Sequence, residues 1–167
     1  MWHKATGEKV IISTSRKPSR HSIALAKELS KSFPKSFYFS RGKKSIELLA
    51  EETLNSGEEF ALIVSEMHGN PTEIKIIKVT KNEWNYFCTI RIKVLKFRKD
   101  FTEFKSKIHE IKTKTENAQL KKLLKALSVN STNDSEFELI EQRNLLTFFR
   151  NKKEIGPQIK IGGIEFE

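Results

Sequence analysis

Apolar positions along the chain change period several times, and the changes mark out its elements. Residues 9–13 place Val10, Ile11 and Ile12 in a row, the pattern of a strand buried on both faces. After Ser19, a good N-cap, Leu25, Ala26, Leu29 and Phe33 recur at helical spacing until Pro34 stops the run. Residues 36–40 form a short strand, with Phe37 and Phe39 on one face and Tyr38 on the other. Tyr38 is read as packing, with base stacking as the alternative. Ser45 caps a second helix whose apolar face is Ile46, Leu49, Ala50 and Leu54, ending at Asn55-Ser56-Gly57. Residues 60–64 and 73–80 pair as a hairpin across the turn signal His68-Gly69-Asn70-Pro71. The first half therefore reads β-α-β-α-β-β.

A long strand over 84–97 opens the second half, with Ile90, Ile92 and Val94 facing one way and Arg91 and Lys93 the other. The loose periodicity over 101–114 is read as a helix. A better one spans 117–129, where Leu120, Leu123, Leu124 and Leu127 oppose Lys121, Lys122 and Lys125. Residues 130–135 are a loop, 137–141 and 145–150 a second hairpin, and Gly156-Pro157 precedes a last strand over 158–161.

Charge sharpens this picture. The chain of 167 residues carries a net +10, unevenly spread. Residues 1–50 hold 11 basic and 3 acidic side chains, residues 51–83 hold 3 and 7, and the rest 17 and 11. Such concentration suits a nucleic acid, whose phosphates supply most sequence-independent affinity. No basic amphipathic helix with a bulky aromatic face suggests a membrane surface, and no run of about 18 uncharged apolar residues is present to span one. With no signal-peptide core at residues 1–8, a soluble, cytoplasmic protein is expected.

The excess gathers in two loops, Arg16-Lys17-Pro18-Ser19-Arg20 and Arg41-Gly42-Lys43-Lys44-Ser45, each immediately before a helix. A helix start exposes unpaired N–H groups at the positive end of its dipole, and cations there oppose the dipole by about 0.3–1 kcal/mol each. A bound polyanion relieves that mismatch, so Arg16, Lys17, Ser19, Arg20, Arg41, Gly42, Lys43, Lys44 and Ser45 are the candidate RNA-binding residues. Arg91, Lys93, Lys96 and Arg98 are a second set. Solvated basic loops are the alternative to the first set, and an ordinary solvent-facing sheet is the alternative to the second.

The same loops resemble the Brix family of ribosome-biogenesis factors. Thr14-Ser15-Arg16-Lys17-Pro18-Ser19 with Leu25-Ala26-Lys27-Glu28-Leu29 is similar to the family's first strand, loop and helix. Arg41-Gly42-Lys43-Lys44-Ser45 with Leu48-Leu49-Ala50-Glu51-Glu52 is similar to its next landmark. The turn at 69–71 and the segment from Gly156-Pro157 extend the likeness over nearly the whole chain. Residues 80–84 depart from it, lacking the Gly-Pro-Thr segment of many relatives, so contacts made by that segment are not carried over.

The resemblance implies an α/β (α+β) fold: one Brix domain over 1–167 made of two similar α/β halves, each resembling the anticodon-binding domain of class IIa aminoacyl-tRNA synthetases. The boundary between the halves, 1–82 and 83–167, is expected near Asn82. It also implies, for a short archaeal type, binding of precursor ribosomal RNA during processing, folding and subunit assembly. Ribosomal proteins or other assembly factors are further expected partners. A protein-interaction scaffold whose basic loops do not touch RNA is the alternative.

Catalytic chemistries find little support. Gly42-Lys43-Lys44-Ser45 lacks the earlier glycine of a P-loop, since Phe37 occupies that position. His109-Glu110 is followed by Thr113 rather than the second histidine of a zinc-protease helix, and His3, His21 and His68 fit no ligand spacing. No serine lies in a Gly-x-Ser-x-Gly elbow. Cys88 is the single cysteine and reads as a buried, inert thiol. A nuclease built from scattered carboxylates such as Glu51, Glu52 and Glu66 is the remaining catalytic alternative. A non-enzymatic protein with no cofactor and no metal is expected.

Overall fold

Val10–Thr14 forms β1, buried along its whole length, so neither face of this strand meets water. It belongs to a computed structural model that describes residues 10–101, 104–129 and 134–167. Lys9, His3 and positions 130–133 of the expected loop lie outside the described residues.

Helix α1 (Arg20–Ser32) follows β1, then β2 (Ser36–Tyr38), α2 (Ile46–Asn55), β3 (Phe60–Met67), β4 (Asn70–Val79) and β5 (Trp84–Lys96). Both helices begin on the expected serines: Ser19 Oγ accepts the Ser22 N–H at 3.2 Å and Ser45 Oγ the Leu48 N–H at 3.2 Å. The second half contributes β6 (Lys112–Thr115), α3 (Ala118–Ala126), β7 (Phe137–Gln142), β8 (Leu145–Arg150) and β9 (Lys153–Phe166).

The nine strands of the described residues join one sheet in the order β2-β1-β3-β4-β5-β9-β8-β7-β6. Strand directions mirror each other about the antiparallel β5–β9 pair. β4 and β8 run antiparallel to the central strands, β3 and β7 antiparallel to those, and β1 and β6 parallel to β3 and β7. Helix α1 follows β1 as α3 follows β6. Beyond β1 lies β2, parallel to it; among the described residues this strand and α2 have no counterpart across the seam.

That asymmetry decides which sheet surface is covered. On one face α1 and α3 bury Leu25, Leu29, Leu120, Leu123 and Leu124 against Ile12, Leu62, Ile76, Ile90 and Ile159. On the other, α2 alone packs Leu49 and Ala50 onto Ile11, Ala61, Ile63 and Ile77. Each buried aliphatic side chain contributes about 1.5–3 kcal/mol, so the two layers fix the helices on opposite sides. Phe37 and Phe39 join the smaller layer and Tyr38 the larger, as their alternation predicts. Among the described residues, no helix covers the second face over β5 to β9.

Two expected elements differ. Of the stretch expected to be helical, residues 104–114 form no α-helix, and residues 102–103 lie outside the described residues; a 3-10 turn at Arg98–Asp100 precedes it and an irregular stretch from residue 104 leads into β6. Ile108 and Ile111 are fully buried three residues apart, which imitates a helical repeat. Their backbone partners are distant, however, with the Ile108 N–H donating to Lys31 O at 2.7 Å and β6 pairing with β7. The last strand starts at Lys153 rather than after Pro157. Proline is accommodated because the β8–β9 register shifts between Thr147 and Phe149, where no ladder bond is required of it.

Candidate nucleic-acid interface

The two cationic loops leave adjacent parallel strands at the same end of the sheet. Ser13 Oγ donates to Phe39 O at 2.6 Å, the Phe39 N–H to Ile12 O at 2.9 Å and the Ser15 N–H to Val64 O at 2.9 Å, binding the exits of β1, β2 and β3 together. Arg16, Lys17, Arg20, Lys43 and Lys44 are all exposed there. Open sheets tend to bind ligands beyond the carboxyl ends of their parallel strands, and this is such an edge.

Arg41 behaves differently from its neighbours. It is only 8% exposed; its Nε donates to Lys44 O at 2.8 Å and its Nη1 to Thr14 O at 3.2 Å. Burial, with Arg16 nearby, holds its pKa below the ordinary value. Arg41 thus fastens the second loop to the end of β1, and its role is chiefly structural. Gly42 has φ +59°, a left-handed conformation, in the turn closed by the Lys44 N–H on Arg41 O at 3.1 Å. Nothing lies within 4 Å of where a Cβ would sit, so the backbone is open to a ligand. Lys44 Nζ stands 5.6 Å from the centre of the Phe39 ring.

At the start of α1, the expected vacancy for an external anion is already filled. The Glu66 carboxylate, from β3, accepts the Ser19 N–H at 2.9 Å and the Ser22 hydroxyl at 2.5 Å, while Ser19 Oγ donates to Gly69 O at 2.9 Å. Hydrogen bonding from Ser19 and Ser22 holds the Glu66 carboxyl below its ordinary pKa. Ser19 is therefore committed inside the protein. At α2 Ser45 Oγ accepts the Leu48 N–H, and among the described residues the acidic side chain of that first turn is Glu47 of the helix itself.

The mirrored strand repeats the device. Glu141, on β7, is buried and accepts from Thr115 Oγ1 at 2.5 Å and from the N–H groups of Glu116 at 2.9 Å, Asn117 at 2.9 Å and Asn144 at 3.0 Å. Burial raises its pKa, but these bonds outweigh it and leave the carboxyl below its ordinary value.

The second candidate set divides. Arg98 is 5% exposed, with Nη1 donating to Ser106 O at 2.9 Å, Nη2 to Ser32 Oγ at 3.1 Å and its N–H to Glu28 Oε1 at 2.7 Å. Burial raises the Glu28 carboxyl's pKa, opposed by the Arg98 N–H and charge. Arg98 is an internal strut, not an interface residue. Arg91 is exposed but lies 3.4 Å from Glu165. Lys93 and Lys96 are exposed, and Lys96 Nζ sits 5.1 Å from the Phe101 ring centre. Sequence reasoning missed Lys160, which the β5–β9 register sets directly opposite Lys93. Its place in an alternating apolar run was the available signal. Also missed was Tyr86, 41% exposed, whereas Tyr38 is half-buried with Lys27 Nζ 5.6 Å from its ring centre.

Cys88 is fully buried, and desolvation pushes its thiol up to about 11. Among the described residues, no group of three or more His, Cys, Asp or Glu could hold a metal, and no helix is long and apolar enough to cross a membrane.

Comparison with known proteins adds to this geometry. The probable Brix domain-containing ribosomal biogenesis protein of Thermococcus kodakarensis is 34% identical over 91 residues, which is 54% of this chain and 44% of that protein. The protein so named in Pyrobaculum aerophilum is 35% identical over 101 residues, 60% of this chain and 55% of that one. The chain is similar in sequence to these archaeal Brix-domain proteins. Its alignments span about half the length of these Brix-domain relatives. The crystal structure of a probable ribosomal biogenesis protein from Aeropyrum pernix superimposes with a TM-score of 0.76 at 21% identity, covering 93% of this chain and 96% of that one. An archaeal Imp4-like protein superimposes with a TM-score of 0.69 at 17% identity, covering 94% and 99%. The α+β fold is thus the one seen in archaeal Brix and Imp4-like structures. No family model matches the chain.

Proposed function

We propose that this chain is a non-enzymatic ribosome-biogenesis factor that binds precursor ribosomal RNA and assists its processing, folding and assembly into subunits. The observation that carries the RNA-binding part is the convergence of two cationic loops at one end of the sheet, with Arg16, Lys17, Arg20, Lys43 and Lys44 exposed together. Five such charges can neutralise several phosphates of one backbone. Arg41 supports them from beneath by fixing the second loop. The names of the Brix-domain relatives support the ribosomal setting.

Phosphate contact falls to exposed side chains and the start of α2 rather than to α1, whose N-terminus Glu66 occupies. An electrophoretic titration of precursor ribosomal RNA fragments against an unrelated RNA of matched length tests the reading. Preferential binding of a ribosomal fragment is expected; equal binding of both would reduce the function to general polyanion affinity.

A further inference from the structure

Helix α2 differs from the other two helices on its solvent side. Of the large apolar side chains exposed among the described residues, Leu48 at 50% and Leu54 at 38% are the two that lie on a helix, whereas α1 and α3 contribute none. Each is three positions from Glu51, so helical spacing sets the leucines on either side of that carboxylate. Glu47 and Glu52 are exposed beside them. Residues 46–59 hold five glutamates and no lysine or arginine, in a chain whose net charge is +10.

These features work against the isolated helix. α1 has Lys31 and α3 has Lys125 in the last turn, where a cation complements the negative end of the dipole, but α2 has no base there. Glu47 suits the first turn and lies within electrostatic range of Arg41. Glu51, however, repels Glu47 one turn away, and Glu52 sits toward the negative end. The salt bridges of the described residues, Arg91–Glu165 and Arg150–Glu136, lie elsewhere. The inward side chains Leu49 and Ala50 already anchor α2 to the sheet, so the outward leucines are not needed for that packing. One kind of ligand relieves all three mismatches: a cationic chain with an apolar side chain among its charges. The same acids repel phosphate, which argues against RNA on this face.

We propose that the outer face of α2 docks a lysine- and arginine-rich polypeptide segment of a partner protein, with an apolar side chain of that segment seated between Leu48 and Leu54 and its cations on Glu51 and Glu52. The two leucines are six positions apart, about 9 Å along the axis, a gap that one bulky apolar side chain fills. The inference rests on the ribosome-biogenesis reading above for its setting and adds a protein-binding surface separate from the cationic loops. Because α2 begins directly after Lys43-Lys44-Ser45, a segment held along it lies next to RNA held at those loops. The chain then brings a basic polypeptide and RNA together on adjoining surfaces.

The test is fluorescence anisotropy of two labelled synthetic peptides of equal charge, one of Lys-Leu-Arg repeats and one with serine in place of each leucine, each titrated with the full chain. The leucine peptide is expected to bind about ten-fold more tightly, and Leu48→Gln/Leu54→Gln to abolish that preference. Glu51→Gln/Glu52→Gln is expected to weaken both peptides by about three-fold or more and to reduce their salt dependence. Circular dichroism checks that each variant is folded, and an RNA titration on the same samples is expected to show that neither variant weakens RNA binding. If the peptides bind both variants as tightly as the wild-type chain, or do not bind the wild-type chain, the docking surface is overturned, and the RNA titration decides the RNA-binding reading separately. If sedimentation shows the wild-type chain self-associating and the leucine variant monomeric, the occupant is a second copy and the partner assignment is overturned.

Discussion

The Glu66 carboxylate accepts the Ser19 backbone N–H at 2.9 Å, so one strand of the sheet closes the N-terminus of the helix packed on its neighbour. Glu141 does the same for the segment leading into α3. Both carboxyls are held below their ordinary pKa, and the sign follows from that direction. A group with a depressed folded-state value stabilises the fold above its unfolded value, and that contribution disappears as pH falls through the folded one. Stability should therefore decline below about pH 5, with Glu66→Gln and Glu141→Gln each flattening the decline. Near neutrality, Glu66→Ala should cost about 1 kcal/mol, as loss of a helix cap does. Glu141→Ala should cost about 2 kcal/mol, because it removes the acceptor shared by four partly buried hydrogen bonds. Denaturant titrations at a series of pH values measure both.

Arg41 and the lysines beside it should separate by what they change. Arg41→Ala removes the links to Thr14 O and Lys44 O and should cost about 2 kcal/mol. Arg41→Lys should not restore them, since an ammonium cannot reproduce the guanidinium fork. Lys43→Gln and Lys44→Gln should leave the thermal midpoint within about a degree or two while weakening RNA binding. Paired melts and binding titrations on the same samples distinguish the two roles.

Two further cations should prove structural. Lys107 Nζ donates to the carbonyls of Ser30, Phe33 and Ser36 around the C-terminal end of α1, where a positive charge also meets the negative end of the dipole. Arg98 ties the turn after β5 to Ser32 and Ser106. Lys107→Met and Arg98→Met should each destabilise by about 2–3 kcal/mol and leave the salt slope of RNA binding unchanged. A reduced slope in a folded variant would move that residue into the interface.

Cys88 gives a clean probe of opening, being the single cysteine of the chain. Buried and with its thiol pushed up to about 11, it should react with a thiol reagent at pH 8 only as fast as the sheet opens. Prompt labelling of the native protein would contradict the packing of β5 against α3.

The first half was legible because its signals are local: serine caps, Pro34 after α1, and unbroken branched runs such as Val10-Ile11-Ile12. Residues 101–114 were not, because Ile108 and Ile111 keep a helical interval while their hydrogen bonds go to Lys31 and to β7. The basic loops were visible as charge, but their meeting was not, because it depends on the parallel pairing of β1 with β2. Sequence could not show which cations turn inward. Arg41 and Arg98 look like their exposed neighbours in the chain, and only the carbonyls and hydroxyls brought up by distant strands and turns set them apart. Glu66 was weighed only as a scattered carboxylate, since 47 residues separate it from the Ser19 N–H it caps.

The salt dependence of RNA binding tests the central claim most directly, comparing the wild-type chain with an Arg16→Gln/Lys43→Gln/Lys44→Gln variant that leaves Arg41 and Ser19 in place. If the loops grip phosphates, log affinity against log salt should flatten by about 2 to 3 units in the variant, at an unchanged melting temperature. An identical slope in the two proteins would show that the loop cluster does not contact RNA.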